Sequence, residues 1–182
     1  MIIRKIVIML FVSSILLMPL TLHKTTLEKL TTSSHLIVRG NVESSYSVWE
    51  GDNIFTYSKV QVTTNLKGKY LSKYITVKQY GGTVGEISAE VDGAPTLENR
   101  DDVILFLVSW KNNYWIHSIA LGCYKVFKSG TETYAVNNLH NFEFIDPETR
   151  KPVNDEKALQ SQYKLGEMYN KIKTAIKNGE TR

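Results

Sequence analysis

The side chains of this chain that could do chemistry are few and scattered. Histidines stand at His23, His35, His117 and His140, without the His-x-x-x-His or paired-carboxylate spacing that sets metal ligands on one face. The single cysteine, Cys123, lies in an apolar β-type segment and reads as a small core residue. A serine nucleophile would need a sharp turn beside a base, and no Gly-x-Ser-x-Gly is present. Asp101 and Asp102 adjoin on a predicted turn, so their carboxylates diverge, whereas paired acid and base work needs two carboxylates facing one substrate. Gly81-Gly82-Thr83-Val84-Gly85 lacks the Lys-Ser or Lys-Thr of a phosphate loop and precedes no helix, so it reads as a strand-end turn or bulge. His117 stands near Trp110, Tyr114 and Trp115, where a groove could hold it, although a half-exposed strand histidine is its ordinary role. The sequence therefore assigns no catalytic, cofactor-binding or metal-binding residue, and the chain reads as a non-enzyme. An enzyme with a dispersed active site, built on His117 and a nearby carboxylate, stays open as an alternative.

The aromatic residues are the suggestive feature. The 10 tyrosines and 3 tryptophans supply flat amphipathic faces suited to sugar, peptide or protein contacts, and they serve equally well as core. Lys164, Lys171, Lys173 and Lys177 on a C-terminal helix could meet an anionic lipid or wall polymer, although a solvated polar face is their usual role.

Arg4 and Lys5 precede an apolar run from Ile6 to Leu22, the layout of a secretory signal. The stretch Leu16 to His23 offers no clean pair of small residues for cleavage, so a removed signal and an uncleaved membrane anchor over residues 6–22 both stay open. Either way the chain is expected to act outside the cytoplasm, secreted or anchored in the cytoplasmic membrane. Of the formal charge of +4, Arg4 and Lys5 carry two units, which leaves about +2 for the remainder and gives no case for nucleic acid. A lone cysteine forms no intrachain disulfide, so stability must come from a packed core.

The elements that would position these residues follow from periodicity. Thr25 to Leu30 predicts a short capped helix. From Leu36 the period becomes two: Leu36, Val38, Gly40 and Val42 alternate with Ile37, Arg39, Asn41 and Glu43, a half-buried strand. A hairpin at Glu50 to Asn53 leads to a second strand over Phe55 to Leu66, and a third runs from Tyr74 to Tyr80, with a short one possible over Glu86 to Val91. Val103 to Val108 is a continuous apolar run, expected to be buried on both faces at the centre of the core. After a loop at Lys111 to Asn113, the last hairpins are placed over Tyr114 to Leu121 and Gly122 to Phe127. Beyond Pro147 and Pro152, Leu159, Tyr163, Met168, Tyr169, Ile172 and Ile176 recur at helical spacing, with Gly179 as a stop.

Leu36 to Val42, Thr56 to Gly68, Val77 to Gly82, Val103 to Leu107, Gly122 and Phe127, taken in order, resemble a family of exported, largely uncharacterised bacterial proteins. That pattern in turn is similar to the netrin-type module of tissue inhibitors of metalloproteinases, over roughly Leu36 to Lys128. The resemblance implies a five-stranded OB-type antiparallel barrel and, through the inhibitors, protease inhibition. Those inhibitors ligate zinc through an N-terminal cysteine, a role that the position of Cys123 does not allow.

The fold expected is mainly β: an OB-type barrel over residues 24–145, an export signal or anchor over 1–23, and a C-terminal helical extension over 146–182. The function expected is that of a binding or interaction module whose partner is an extracytoplasmic protein or cell-envelope ligand. The alternative is a protease-inhibitor-like protein.

Overall fold

The computed structural model describes residues 21–23, 25–139, 143–145, 149–152 and 161–180. Residues 1–20, on which the export reading rests, lie outside the described residues, as do His140, Pro147 and Leu159. The chain is mainly β, with a helix near each end. In order its elements are β1 (Thr21–His23), α1 (Leu27–Ser33), β2 (Leu36–Glu50), β3 (Asn53–Lys67), β4 (Tyr74–Tyr80), β5 (Gly82–Val84) and β6 (Ile87–Ala89). There follow β7 (Asp102–Trp110), β8 (Asn113–Ile116), a 3-10 turn (Ile119–Gly122), β9 (Cys123–Ser129), β10 (Glu132–Val136), β11 (Glu143–Ile145), β12 (Gln162–Lys164) and α2 (Leu165–Glu180).

Strands β2, β3 and β4 form an antiparallel meander. The short β8 joins β4 in parallel and β7 antiparallel, and β7 returns to pair with β2, so these five strands close into a ring. Beyond the ring the same sheet continues from β7 through β9 and β10 to β12. Parallel pairing of β4 with β8 needs a long crossover, and the β5–β6 hairpin, the loop up to Asp101 and β7 itself supply it.

The apolar run of β7 has two burial partners, one on each side. Val103, Leu105 and Leu107 pack inside the ring with Val38, Val42, Val60 and Ile75. Ile104 and Phe106 pack on the other face with Leu30 of α1 and Met168 and Ile172 of α2. All five β7 residues are fully buried, as a strand enclosed on both faces requires. The same helical cover buries Ile37, so Leu36 to Val38 is closed on both faces where alternation alone predicts one.

The Thr26 side chain caps α1 by accepting from the Lys29 amide at 3.1 Å. At the other end Lys67 of β3 donates to the carbonyls of Thr31, Thr32 and Ser34 at 2.7, 2.8 and 2.7 Å, which fixes the helix to the sheet. Arg39 grips Asp102 with two parallel bonds, Nε to Oδ1 at 2.9 Å and Nη2 to Oδ2 at 2.6 Å, across the β2–β7 seam.

Four expectations need correction. Gly82–Val84 is a short strand paired with β6, because the left-handed backbone at Gly81 (φ +89°) turns the chain before it. The stretch from Tyr114 strands only as far as Ile116; His117 follows it, and Ser118 and Ile119 take left-handed conformations that open the 3-10 turn. Tyr163 lies in β12, whose backbone is recruited by β10, so the helix starts later, at Leu165. Gly179 is inside α2 rather than at its stop.

Candidate functional site

A β-bulge decides which residues reach the outer surface of the ring. The β2–β3 register shifts between Val42 and Ser44, so Ser45 and Ser47 fall on the same face as the buried Val42, bonded to Ser58 and Thr56, while Tyr46 and Glu50 turn outward. In register, Tyr46 of β2 stands opposite Tyr57 of β3, Tyr57 opposite Lys78 of β4, Lys78 beside Trp115 of β8, and Trp115 opposite Val108 of β7. One rung thus crosses all five strands of the ring, and four strand spacings make it about 19 Å as followed round the curved sheet. The next rung adds Phe55 opposite Tyr80.

These rings touch in sequence. Tyr46 and Tyr57 stack at 5.5 Å, Phe55 meets Tyr80 at 4.7 Å, Tyr80 meets Trp115 at 5.2 Å, and Trp115 meets Trp110 at 5.7 Å between centroids. The Trp115 indole also donates to the Trp110 carbonyl at 3.3 Å. That carbonyl lies beside the β7–β8 turn, where Lys111 and Asn112 both adopt the left-handed conformation of a tight hairpin. Tyr46, Tyr80 and Trp110 are 58%, 49% and 51% exposed, so the described residues leave these three rings open to solvent.

Lys78 is the internal support of this surface. Its side chain is only 8% exposed, with the ammonium 4.0 Å from the centre of the Phe55 ring and 5.1 and 5.6 Å from those of Tyr57 and Trp115. It donates to Glu50 Oε2 at 2.5 Å, and the Tyr57 hydroxyl donates to the other Glu50 oxygen. Desolvation opposes the charge on Lys78, but the hydrogen bonds with Glu50 and Tyr57 outweigh it and raise its pKa above the ordinary lysine value. The same bonds from Lys78 and Tyr57 hold the Glu50 carboxyl below the usual carboxylate range. At the margins Lys59 pairs with Glu43 at 3.1 Å, and Lys111 lies 4.4 Å over Trp110.

A second hollow, of about 610 Å³, opens where Ser45, Thr56, Ser58 and Gln79 meet the β5–β6 hairpin and the Asp92 to Leu97 loop. Its hydroxyls serve one another and nearby carbonyls: Ser45 with Ser58 at 2.8 Å, Ser47 with Thr56 at 2.9 Å, and Thr56 to the Gly81 carbonyl at 2.7 Å. Gly82 sits so close that a Cβ there would run into Ser47 Oγ and Thr56 Oγ1. These bonds tie β2 to β3, and through Thr56, Ser45 and Gln79 they hold the Gly81 turn and the Pro95 to Leu97 loop to the ring.

The residues singled out in the sequence are dispersed. Asp101 pairs with Lys125 at 2.8 Å and Asp102 with Arg39, so both serve ion pairs where a solvated turn was expected. Cys123 is buried in the ring core, and burial pushes its thiol up to about 12. His117 lies just past β8, where burial and the charge of His35 lower its pKa, and its Nδ1 is 3.3 Å from Ser118 Oγ. His35 Nδ1 accepts from the Ser109 amide at 2.9 Å. Among the described residues no group of three histidines, cysteines or carboxylates could hold a metal ion. Lys164 pairs with Glu132 at 3.0 Å and Lys171 with Glu167 at 3.6 Å.

Of the strip, the sequence singles out Trp110 and Trp115, as a groove for His117, and offers the other rings only as an aromatic total. The available signal is parity: Phe55 and Tyr57, then Lys78 and Tyr80, occupy the strand face that alternation reserves for polar residues. Comparison with protein-family models and with curated proteins gives no match for this chain.

Proposed function

We propose that this chain is an exported binding module, an OB-type barrel that takes up an extended cell-envelope ligand on the outer aromatic face of β3, β4 and β8. The observation that carries the reading is the five-strand rung of Tyr46, Tyr57, Lys78, Trp115 and Val108, bordered by exposed Tyr80 and Trp110. Large exposed aromatic patches on otherwise well-packed proteins mark interaction sites, and rings held by their neighbours lose little freedom on binding.

The pairing order around the ring supports the OB-type reading: β2, β3 and β4 as a meander, β8 parallel to β4, and β7 closing between β8 and β2. In such barrels the second and third strands, with the loops after the first and fourth, form the usual binding surface. Here those are β3 and β4, the Gly51–Asp52 turn and the Lys111–Asn112 turn, the same side that carries the strip. Inhibition of metalloproteinases gains nothing from Cys123, which is buried with its thiol protonated.

Co-sedimentation of the full chain with lipid-extracted envelopes from cells that lack it, into which an anchor over residues 6–22 cannot insert, tests the reading. The chain should pellet with the envelopes, and the double variant Tyr80→Ala/Trp110→Ala should stay in the supernatant while still folding in one cooperative melt, its midpoint lowered only by the lost ring contacts. Equal pelleting of the two proteins would overturn the assignment of the face.

A further inference from the structure

We infer that the ligand of the aromatic strip is an uncharged glycan, a chain of pyranose rings; this rests on the strip being the binding face. Three features of the surface select that chemistry. The first is its charge balance. Lys78 is neutralised by Glu50 at 2.5 Å and Lys59 by Glu43 at 3.1 Å, and Lys111 over Trp110 is a single cation at one end, so the strip presents mostly rings and paired charges rather than a basic track. A polyanion such as nucleic acid or an acidic wall polymer needs unpaired cations to replace its counterions.

The second feature is the closed ring. At the strip β3 is paired with β2 and β4, Lys78 of β4 with β3 and β8, and Trp115 of β8 with β4 and β7, so their backbone groups are already engaged. An extended peptide that binds by adding a strand requires a free edge; β2 has one beyond Asn41, at the Tyr46 end of the rung, while Tyr57, Lys78 and Trp115 in its middle have strands on both sides. A glycan carries its hydrogen-bonding groups as hydroxyls and needs side-chain partners instead.

The third feature supplies those partners beside apolar faces. Tyr80, Trp115 and Trp110 are tilted to one another by 37° and 61°, giving successive facets rather than one flat plane. The electron-rich face of an aromatic ring attracts the weakly positive C–H face of a sugar ring. Glu50, 40% exposed and already ionised by its contacts with Lys78 and Tyr57, has lone pairs to accept from sugar hydroxyls. The part of the rung on β3, β4 and β8 spans two strand spacings, about 10 Å, which suits about two sugar residues laid across the strands.

Isothermal titration of the full chain with uncharged hexasaccharides, β-1,4-linked glucose and β-1,4-linked N-acetylglucosamine among them, tests the inference. Dextran sulfate and an uncharged peptide of similar length serve as the contrasting probes. At least one uncharged hexasaccharide should bind, and Trp110→Ala should weaken it about tenfold or more while the chain still folds in one cooperative melt. Glu50→Gln should weaken it as well while leaving any dextran sulfate signal equal or stronger, because Lys78 loses its neutralising partner. If no hexasaccharide binds while envelope co-sedimentation still depends on Tyr80 and Trp110, the glycan is wrong and the face stands. If dextran sulfate or the peptide binds through Trp110 instead, the glycan is again wrong. Loss of that dependence in the envelope assay removes the face itself.

Discussion

Leu105→Ala and Phe106→Ala, two neighbours on β7, probe the two sides of the sheet separately. Leu105 is fully buried in the ring interior, where β2, β3, β4, β7 and β8 are tied all round by hydrogen bonds and cannot close over a void. Leu-to-Ala in such a site lies in the upper part of its range, about 4 kcal/mol. Phe106 is equally buried, but its cavity would open under α1 and α2, which can settle toward the sheet, so about 3 kcal/mol is expected despite the larger side chain. At roughly 2–4 °C per kcal/mol for a chain of this size, the midpoints should fall by about 8–16 °C and about 6–12 °C. Thermal and urea melts of the full chain, with the urea slope unchanged, read both values. A fall of less than about 3 °C for Leu105→Ala would refute the assignment of the closed ring as the principal core.

Other perturbations address other links. Replacing Gly82 with Ala forces a Cβ onto Ser47 and Thr56 at φ +128° and should destabilise the fold by about 1–3 kcal/mol whether or not any phosphorylated compound is present, read by thermal melts; a neutral outcome would contradict the close approach. The Cys123 thiol should resist alkylation in the native chain and react on unfolding, and rapid native labelling at pH 8 would contradict its burial. Because its folded pKa is raised from 9.0 to about 12, its stabilising contribution is complete below pH 9 and is lost as pH climbs toward 12, a loss that Cys123→Ala should lack. A reporter enzyme that works only outside the cytoplasm, fused after Arg182, should be active, and persistent cytoplasmic retention would contradict export.

Much of the β framework was readable, because strands enclosed by a covered sheet write their burial directly into the chain. Tyr74 to Tyr80 and the Val103 to Val108 run did so through alternation and continuous apolarity. The strip as a whole was not readable for two reasons. The bulge at Glu43 inverts the parity of β2, so extending the Leu36, Val38, Val42 pattern would bury Tyr46, which instead stacks on Tyr57. The support of the strip joins Glu50 to Lys78, 28 positions apart, and only the β3–β4 register brings them together. Likewise β12 has no strand signature of its own; its three residues are extended because β10 offers an unpaired edge.

Residue-level oxidation by hydroxyl radicals, with the full chain free and bound to isolated envelopes, measures the binding face most directly. Phe127, 46% exposed on β9, is an internal reference outside the strip. The account predicts that Tyr80 and Trp110 are protected severalfold on binding while Phe127 oxidises at an unchanged rate. Protection of Phe127 with Tyr80 and Trp110 unaffected would contradict it.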